Sequence, residues 1–338
     1  MLRHIKASAP TRIDFGGGTL DFFPLYLFFD NPKTINVAID LGAEVTLTSR
    51  EDHRVTIQSI DTNNALEVDG GVQALPLDGP LALISRVLRY YQVEGGIDVV
   101  TKMLPPHGSG LGSSSSLFIT LAHAVLAYQN KPRDPEQIIR VCNALEAQLM
   151  GMPAGLQDYY PATYGGINCI HLDLEGVWVE HMDTDGTFIN ELQKYVVLSY
   201  TNITHHSGTT NWGKLRNFFD RVPRTVDSLH NIERTAQHFY QAFKDHDFQK
   251  IGLLLREEWE NRKGLSHAVT SPKIDRMIEA TYAAGSWGSK LCGAGGGGCM
   301  ICLAPPECHD AIRAALTKHG ASPLDVHLVR EGVKIETS

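Results

Sequence analysis

The chain has 338 residues, 43% of them hydrophobic and 20% charged, which suits two folded domains of ordinary size and excludes wholesale disorder. Its 30 basic residues stand against 38 acidic ones, a formal charge of −8, which excludes a general binder of nucleic acid or of anionic membranes. A local anion site stays open, because backbone N–H groups bind phosphate without any lysine.

In chain order, Ala43–Thr48 and Arg54–Ser59 are β-branched or alternating and predict antiparallel strands. Leu81–Tyr91 spaces its apolar residues for a helix, and Gly96–Lys102 predicts a strand. Leu117–Tyr128 is apolar on nearly every side, the pattern of a buried helix. Asp134 and Pro135 supply an N-cap and a first helical residue for another helix, running to about Met150. Residues 165–200 return to strand-like sequence, with turn chemistry at Asp183–Gly186. Val222–Asp245 and Phe248–Lys263 predict polar amphipathic helices, Cys308–His319 a last helix, and Asp325–Leu328 a terminal strand. Strands grouped with helices, without regular βαβ alternation, predict an α+β class. The expected boundary falls between residues 170 and 195, giving domains 1–185 and 186–338.

The six cysteines make no small-domain disulfide pattern. Cys299 and Cys302 form a CxxC, but inside an apolar run that predicts a buried strand. Residues three apart on a strand face opposite sides, so packing is the expectation, not metal or redox chemistry. There is no signal-peptide core at the N-terminus and no apolar run of about 20 residues to span a bilayer. The expectation is a cytoplasmic protein without membrane or nucleic-acid partners.

Glycine carries the strongest signal: eleven of 31 fall in residues 16–18, 108–112 and 293–298. Such clusters mark sharp turns or close approach. In the middle segment, Pro106, Gly108, Ser109, Gly110, Leu111, Gly112, Ser113, Ser114 and Ser115 lead into the buried helix. Alternate glycines, a helix N-terminus and serine hydroxyls suit a phosphate and a bound Mg²⁺. No lysine follows Gly112, so it is not a Walker A loop, and its spacing and the prolines before it exclude a Rossmann turn. The first segment puts Arg12, Asp14 and Asp21 around Gly16, Gly17 and Gly18, where Asp21 suits substrate hydroxyls and Arg12 developing charge, although on its own the segment is better explained by solvated loop charges. Four consecutive glycines at 295–298 imply a ligand or another loop against this backbone. Glu146, on the capped helix, suits a metal ion, and Asp158, on the loop beyond, suits a hydroxyl proton; a surface position accounts for Glu146 as well.

These three segments together resemble the signature motifs of the GHMP kinase family, in order and spacing, from Pro10 to Met300. The resemblance implies a two-domain α+β architecture, with an N-terminal ribosomal protein S5 domain 2-like fold and a C-terminal ferredoxin-like lobe. It implies ATP and Mg²⁺, and γ-phosphoryl transfer to a small-molecule hydroxyl. On it, residues 108–115 match the phosphate loop, Ser114 and Glu146 the Mg²⁺ ligands, Asp158 the catalytic aspartate, and Arg12 the cation near the transferring phosphate. Asp21 matches the acid that binds substrate hydroxyls, with Thr19, Gly18, Gly295 and Gly296 beside the substrate. Residues 293–298 match the motif that packs on the phosphate loop. The first motif is most similar to the sugar-kinase branch of heptose 7-phosphate kinases and fucokinases, which implies a sugar or sugar-phosphate acceptor and a monomer or homodimer. In that branch His206, beside His205, sits where a loop faces substrate. A mevalonate- or homoserine-type kinase, or a binding protein of this fold without catalysis, are the alternatives.

Overall fold

The computed structural model describes residues 3–204 and 207–337. Strand β1 (His4–Gly16) and the long β2 (Lys33–Arg50) run antiparallel and form the spine of the first sheet. Strands β3 (Val55–Ser59) and β4 (Asn64–Val68) make a hairpin, and helix α1 (Ala82–Tyr90) carries the chain to β5 (Gly96–Met103). β3 is antiparallel to β4, as its alternation predicts, but because the later connection crosses over through a helix its other edge lies parallel to β5. Three helices follow: α2 (Ser113–Tyr128), α3 (Pro135–Met150) and the short α4 (Tyr159–Tyr164). Asp134 caps α3 by accepting from the N–H groups of Glu136 (3.0 Å) and Gln137 (3.2 Å), with Pro135 in its first turn. Strands β6 (Ile167–Leu172) and β7 (Val177–His181) extend the sheet from the first half of β2.

The second sheet begins after α5 (Thr187–Gln193), a helix inside a stretch expected to be strand. Its strands are β8 (Val196–Tyr200), then β9 (Gly288–Leu291) and β10 (Cys299–Leu303), and last β11 (Ser322–Leu324). Between β8 and β9 lie α6 (Ser207–Phe219), α7 (Pro223–Lys244), α8 (Phe248–Lys263) and α9 (Pro272–Ala283); α10 (His309–Lys318) precedes β11. The all-antiparallel order β11-β8-β10-β9 is 4-1-3-2 in chain order, with β-α-β-β-α-β succession, the ferredoxin-like arrangement. The expected strand at Asp325–Leu328 is absent: only Leu328 makes a single bridge, to Ile39. The chain ends instead in β12 (Lys334–Thr337), which returns to the first sheet beside β1.

On β10 the two cysteines diverge. Cys299 packs with Ile301 and Leu303 toward the first sheet, and Cys302 packs with Met300 under α9 and α10. All six cysteines are free thiols. No helix of the described residues is long and apolar enough to cross a membrane.

What joins the two sheets is apolar. Ile13, Phe15, Ile35 and Val37 from β1 and β2 share one core with Phe239 and Phe243 of α7 and with Leu198 and Ile301 of the second sheet. An interface of this kind does not separate like a wet domain contact. Phe239→Ala is therefore expected to cost about 3–5 kcal/mol and to leave a single cooperative unfolding transition. Calorimetry that resolved two transitions in the wild-type protein would overturn the shared core.

Candidate active site

Alternation along β1 separates two jobs. Ile13 and Phe15 enter the shared core, so Arg12 and Asp14 project from the other face. Asp14 is fully buried: Oδ2 accepts from Lys290 Nζ at 2.7 Å, and Oδ1 accepts from the Gly293 N–H at 2.8 Å. Lys290, equally buried, also donates to the Asp14 carbonyl at 2.6 Å. Burial alone would raise the Asp14 carboxyl, but Lys290, Arg12 and Arg262 outweigh it and hold it well below the usual carboxylate range.

Arg12 donates to two groups. Its Nε and Nη2 donate to Asp158 Oδ1 at 2.8 and 2.7 Å, and its Nη1 donates to the Gly110 carbonyl at 2.6 Å. Burial opposes the charged guanidinium, yet Asp158 and Asp14 more than offset it. Asp158 stands at the start of α4, with Oδ2 left over on the cleft side. Its pairing with Arg12 suggests a strongly acidic carboxyl. Instead burial dominates and raises it, with Arg12 recovering only part, so Asp158 is a better proton acceptor than a solvated aspartate.

The glycine-serine loop is built of backbone. Gly108, Gly110 and Gly112 all have positive φ (66°, 72° and 77°), and α2 begins at Ser113 with no side chain capping its N-terminus. Gly112 is crowded as well: a Cβ there would lie 3.0 Å from Asp158 Cγ, so the Asp158 side chain would have to give by a few tenths of an ångström. The serines, drawn into the first turn of α2, divide their work. Ser113 faces Ser109, while Ser116 turns inward and donates to the Ala9 carbonyl at 3.1 Å. Ser114 donates to Glu146 Oε1, and Ser115 (2.8 Å) and Tyr159 donate to Oε2. Burial raises the Glu146 carboxyl against those hydroxyls. Leu111 enters the shared core, and neither it nor Pro106 lines the cleft; that part of the expected loop set is scaffold.

The third glycine segment packs on this loop. A Cβ at Gly293 would lie 2.8 Å from the Gly110 carbonyl oxygen, and the Cys299 N–H donates to the Ser109 carbonyl at 2.6 Å. Gly293 and Ala294 line the cleft. Gly295 and Gly296, expected beside substrate, lie against Val269 instead, whose carbonyl accepts from the Gly296 N–H at 2.7 Å.

At the other end, Asp21 lines the cleft as expected of a substrate-facing residue and also holds backbone. Its Oδ1 accepts from the Thr19 N–H (3.1 Å) and Oδ2 from the Gln157 N–H (3.0 Å), so it staples two loops while lining the cleft. Thr19 lines the cleft at φ 84°, an unusual backbone for a β-branched residue. The Gly18 carbonyl accepts from Arg262 Nη1 at 3.0 Å, and the Gly293 carbonyl accepts from Arg262 Nη2. Arg262 and Asn211 complete this wall, with the buried Lys214 behind it donating to the carbonyl of Ala294 (2.7 Å) and to Asn211 Oδ1 (3.1 Å). Sequence reasoning missed all three, since a polar face on an amphipathic helix gives no sign that its arginine is buried. His205 and His206 lie outside the described residues.

The result is one cleft of about 570 Å³, within the roughly 300–1,000 Å³ usual for small ligands. Its far end is apolar, with Leu81, Ile84, Met103, Leu117 and Met150. Family models described as "GHMP kinases N terminal domain" and "GHMP kinases C terminal" match residues 81–166 and 239–322. The chain belongs to the GHMP kinase family. It is therefore an ATP-dependent kinase. It is similar to the D-glycero-alpha-D-manno-heptose 7-phosphate kinase of Campylobacter jejuni, 27% identical over 98% of this chain and 99% of that protein. It is similar also to the mevalonate kinase of Methanothermobacter thermautotrophicus, 28% identical over 84% of this chain and 87% of that one. The solved D-glycero-D-manno-heptose 1-phosphate kinase from Bacteriodes thetaiotaomicron has the same fold, with TM-score 0.80 and 22% identity over 98% of both chains.

Two outcomes are expected. Gly112→Ala should lose about 1–2 kcal/mol of stability from the left-handed backbone and, by pushing on Asp158, about 100-fold in kcat; unchanged kcat would show that Asp158 need not sit there. Glu258, fully buried beside Arg262, has its carboxyl pushed up to about 7 by burial, against the pull of Arg262 and Lys290. The folded protein thus holds a proton that the unfolded chain releases near 4.5, so this contribution is complete at low pH and is lost as pH rises toward 7. Urea denaturation between pH 5 and 8 should show a decline on the order of 3 kcal/mol that Glu258→Gln lacks; equal slopes in the two proteins would refute it.

Proposed function

We propose that this kinase transfers the γ-phosphoryl group of ATP to a hydroxyl of a sugar phosphate of the heptose 7-phosphate type. The observation that carries the chemistry is the Arg12–Asp158 pair, 2.7–2.8 Å apart and facing the glycine-serine loop. The N–H groups of that loop and the N-terminus of α2 take the ATP phosphates, and the apolar end of the cleft takes the base. Asp158 Oδ2 accepts the proton of the attacking hydroxyl, and its raised pKa favours that transfer. Arg12, fixed by the Gly110 carbonyl, neutralises charge on the group in transit. Glu146 and the Ser114 hydroxyl, hard oxygen donors in contact with each other, fit Mg²⁺, and the raised Glu146 carboxyl marks a site that gains from a cation. Bound there, Mg²⁺ supplies charge neutralisation at the phosphates.

The acceptor assignment draws on the heptose 7-phosphate kinase relative, which spans nearly the whole chain, and on the cationic wall of Arg262, with Lys214 behind it. Thr19 and Asn211 provide hydrogen-bonding partners for sugar hydroxyls. Residues 1–185 supply the phosphate loop and residues 186–338 the Arg262 wall, and we take these as the two functional domains.

A coupled assay of ADP release against heptose 7-phosphate, fucose, galactose, uronic acids and mevalonate tests the acceptor. The highest kcat/KM is expected on the heptose 7-phosphate, and preference for mevalonate or an unphosphorylated sugar would overturn the assignment. Asp158→Asn should lower kcat by about 10³-fold while leaving the KM for ATP nearly unchanged. Full activity in that variant would remove Asp158 as the proton acceptor.

A further inference from the structure

Helices α1 and α3 each serve two sites with opposite faces. Leu83 and Ile84 of α1, with Glu146 and Met150 of α3, line the ATP cleft. Behind them the same two helices enclose a separate hollow of about 530 Å³. Arg86 and Arg89 project into its lining from α1 and Arg140 from α3, at the three- and four-residue spacing that places Tyr90 and Gln137 alongside.

The charge there is unbalanced. Among the described residues no acidic side chain lines the hollow, in a chain whose formal charge is −8. None of the three arginines lies within 4 Å of a carboxylate among the described residues. Two are nevertheless fixed in place: Arg86 Nη2 donates to the Leu77 carbonyl at 3.0 Å, and Arg89 Nη1 donates to the Leu75 carbonyl at 3.1 Å. Arg86 Nε is buried with no hydrogen-bond partner among the described residues. Buried donors are normally satisfied, and guanidinium forks match phosphate oxygens two at a time.

We propose that this hollow is a second binding site, for a small phosphorylated molecule. The three guanidinium groups hold the phosphate. Tyr90, half exposed, and Leu77 give its carbon skeleton an apolar wall. The volume suits a metabolite, and the ligand would rest on the back of the helices that form the ATP cleft. This inference stands apart from the choice of acceptor sugar.

Inorganic pyrophosphate, titrated calorimetrically in Mg²⁺-free buffer, tests it. The wild-type protein is expected to bind two per chain, one of them displaced by ATP. Arg140→Glu changes an exposed side chain that makes no hydrogen bond among the described residues, so fold, kcat and the KM for ATP should be unaffected. It should weaken the second site by about tenfold or more and leave only the ATP-displaced one. One pyrophosphate per chain in the wild type, or two with unchanged affinity in Arg140→Glu, would overturn the proposal.

Discussion

The ion pair between Asp14 and Lys290, 276 residues apart, sets the geometry on which the site depends. Both side chains are wholly buried, and taking two charges out of water costs several kcal/mol for each. That cost is offset only because each group has its remaining partners: Gly293 N–H for the carboxylate, the Asp14 carbonyl for the ammonium. An apolar pair would hold the sheets together as well or better, so the value of the ion pair lies in register. It fixes β1 against β9 at one offset, and Arg12, two residues earlier on the same face, inherits that position.

From that anchor the cleft assembles through contacts that leave no room for side chains. Gly293 meets Gly110 backbone to backbone, and Asp158 closes on Gly112. Arg262 extends the same arrangement outward, tying the Gly18 carbonyl of the first motif to the Gly293 carbonyl of the third. The glycine clusters are thus explained by crowding as much as by ligand access. They are where three segments of chain come within van der Waals contact, and the proposed phosphate-binding surface is the exposed side of that junction. On that proposal an acidic chain can bind ATP because the donors are main-chain N–H groups and one arginine, local in effect and insensitive to net charge.

Much of this was legible from residue order. Asp134 and Pro135 announced α3, because caps act within one turn. The three glycines at 108–112 pointed to a sharp turn, which the backbone makes with positive φ at all three. The divergence of Cys299 and Cys302 followed from strand alternation alone. The failures share a cause. Residues 9–14 carry Arg12 and Asp14 and look like a solvated loop, yet they form a buried strand, since the charges are neutralised by Lys290 and Asp158 from far along the chain. Arg262 and Lys214 were overlooked for the same reason. Asp21 has a second duty that residue order does not show, holding two backbone N–H groups while lining the cleft. Burial of a charge is a property of its partners, and partners distant in sequence leave no local trace.

This difference also separates what the fold says about chemistry from what it says about the acceptor. The phosphoryl-transfer apparatus is made of short motifs, each of which positions its own backbone, so its parts are recognisable one by one. The acceptor wall we propose is made of Thr19, Asn211 and Arg262, single residues from three unrelated elements that line the cleft, supported from behind by Lys214 and Asp21. No motif specifies such a wall, because its members come from separate elements of the chain. Acceptor specificity can therefore drift among proteins that keep the same catalytic centre. The residues that fix it in this chain are to be sought among those held by Arg262, where a buried guanidinium spans both lobes and any change of charge is felt on both sides of the cleft.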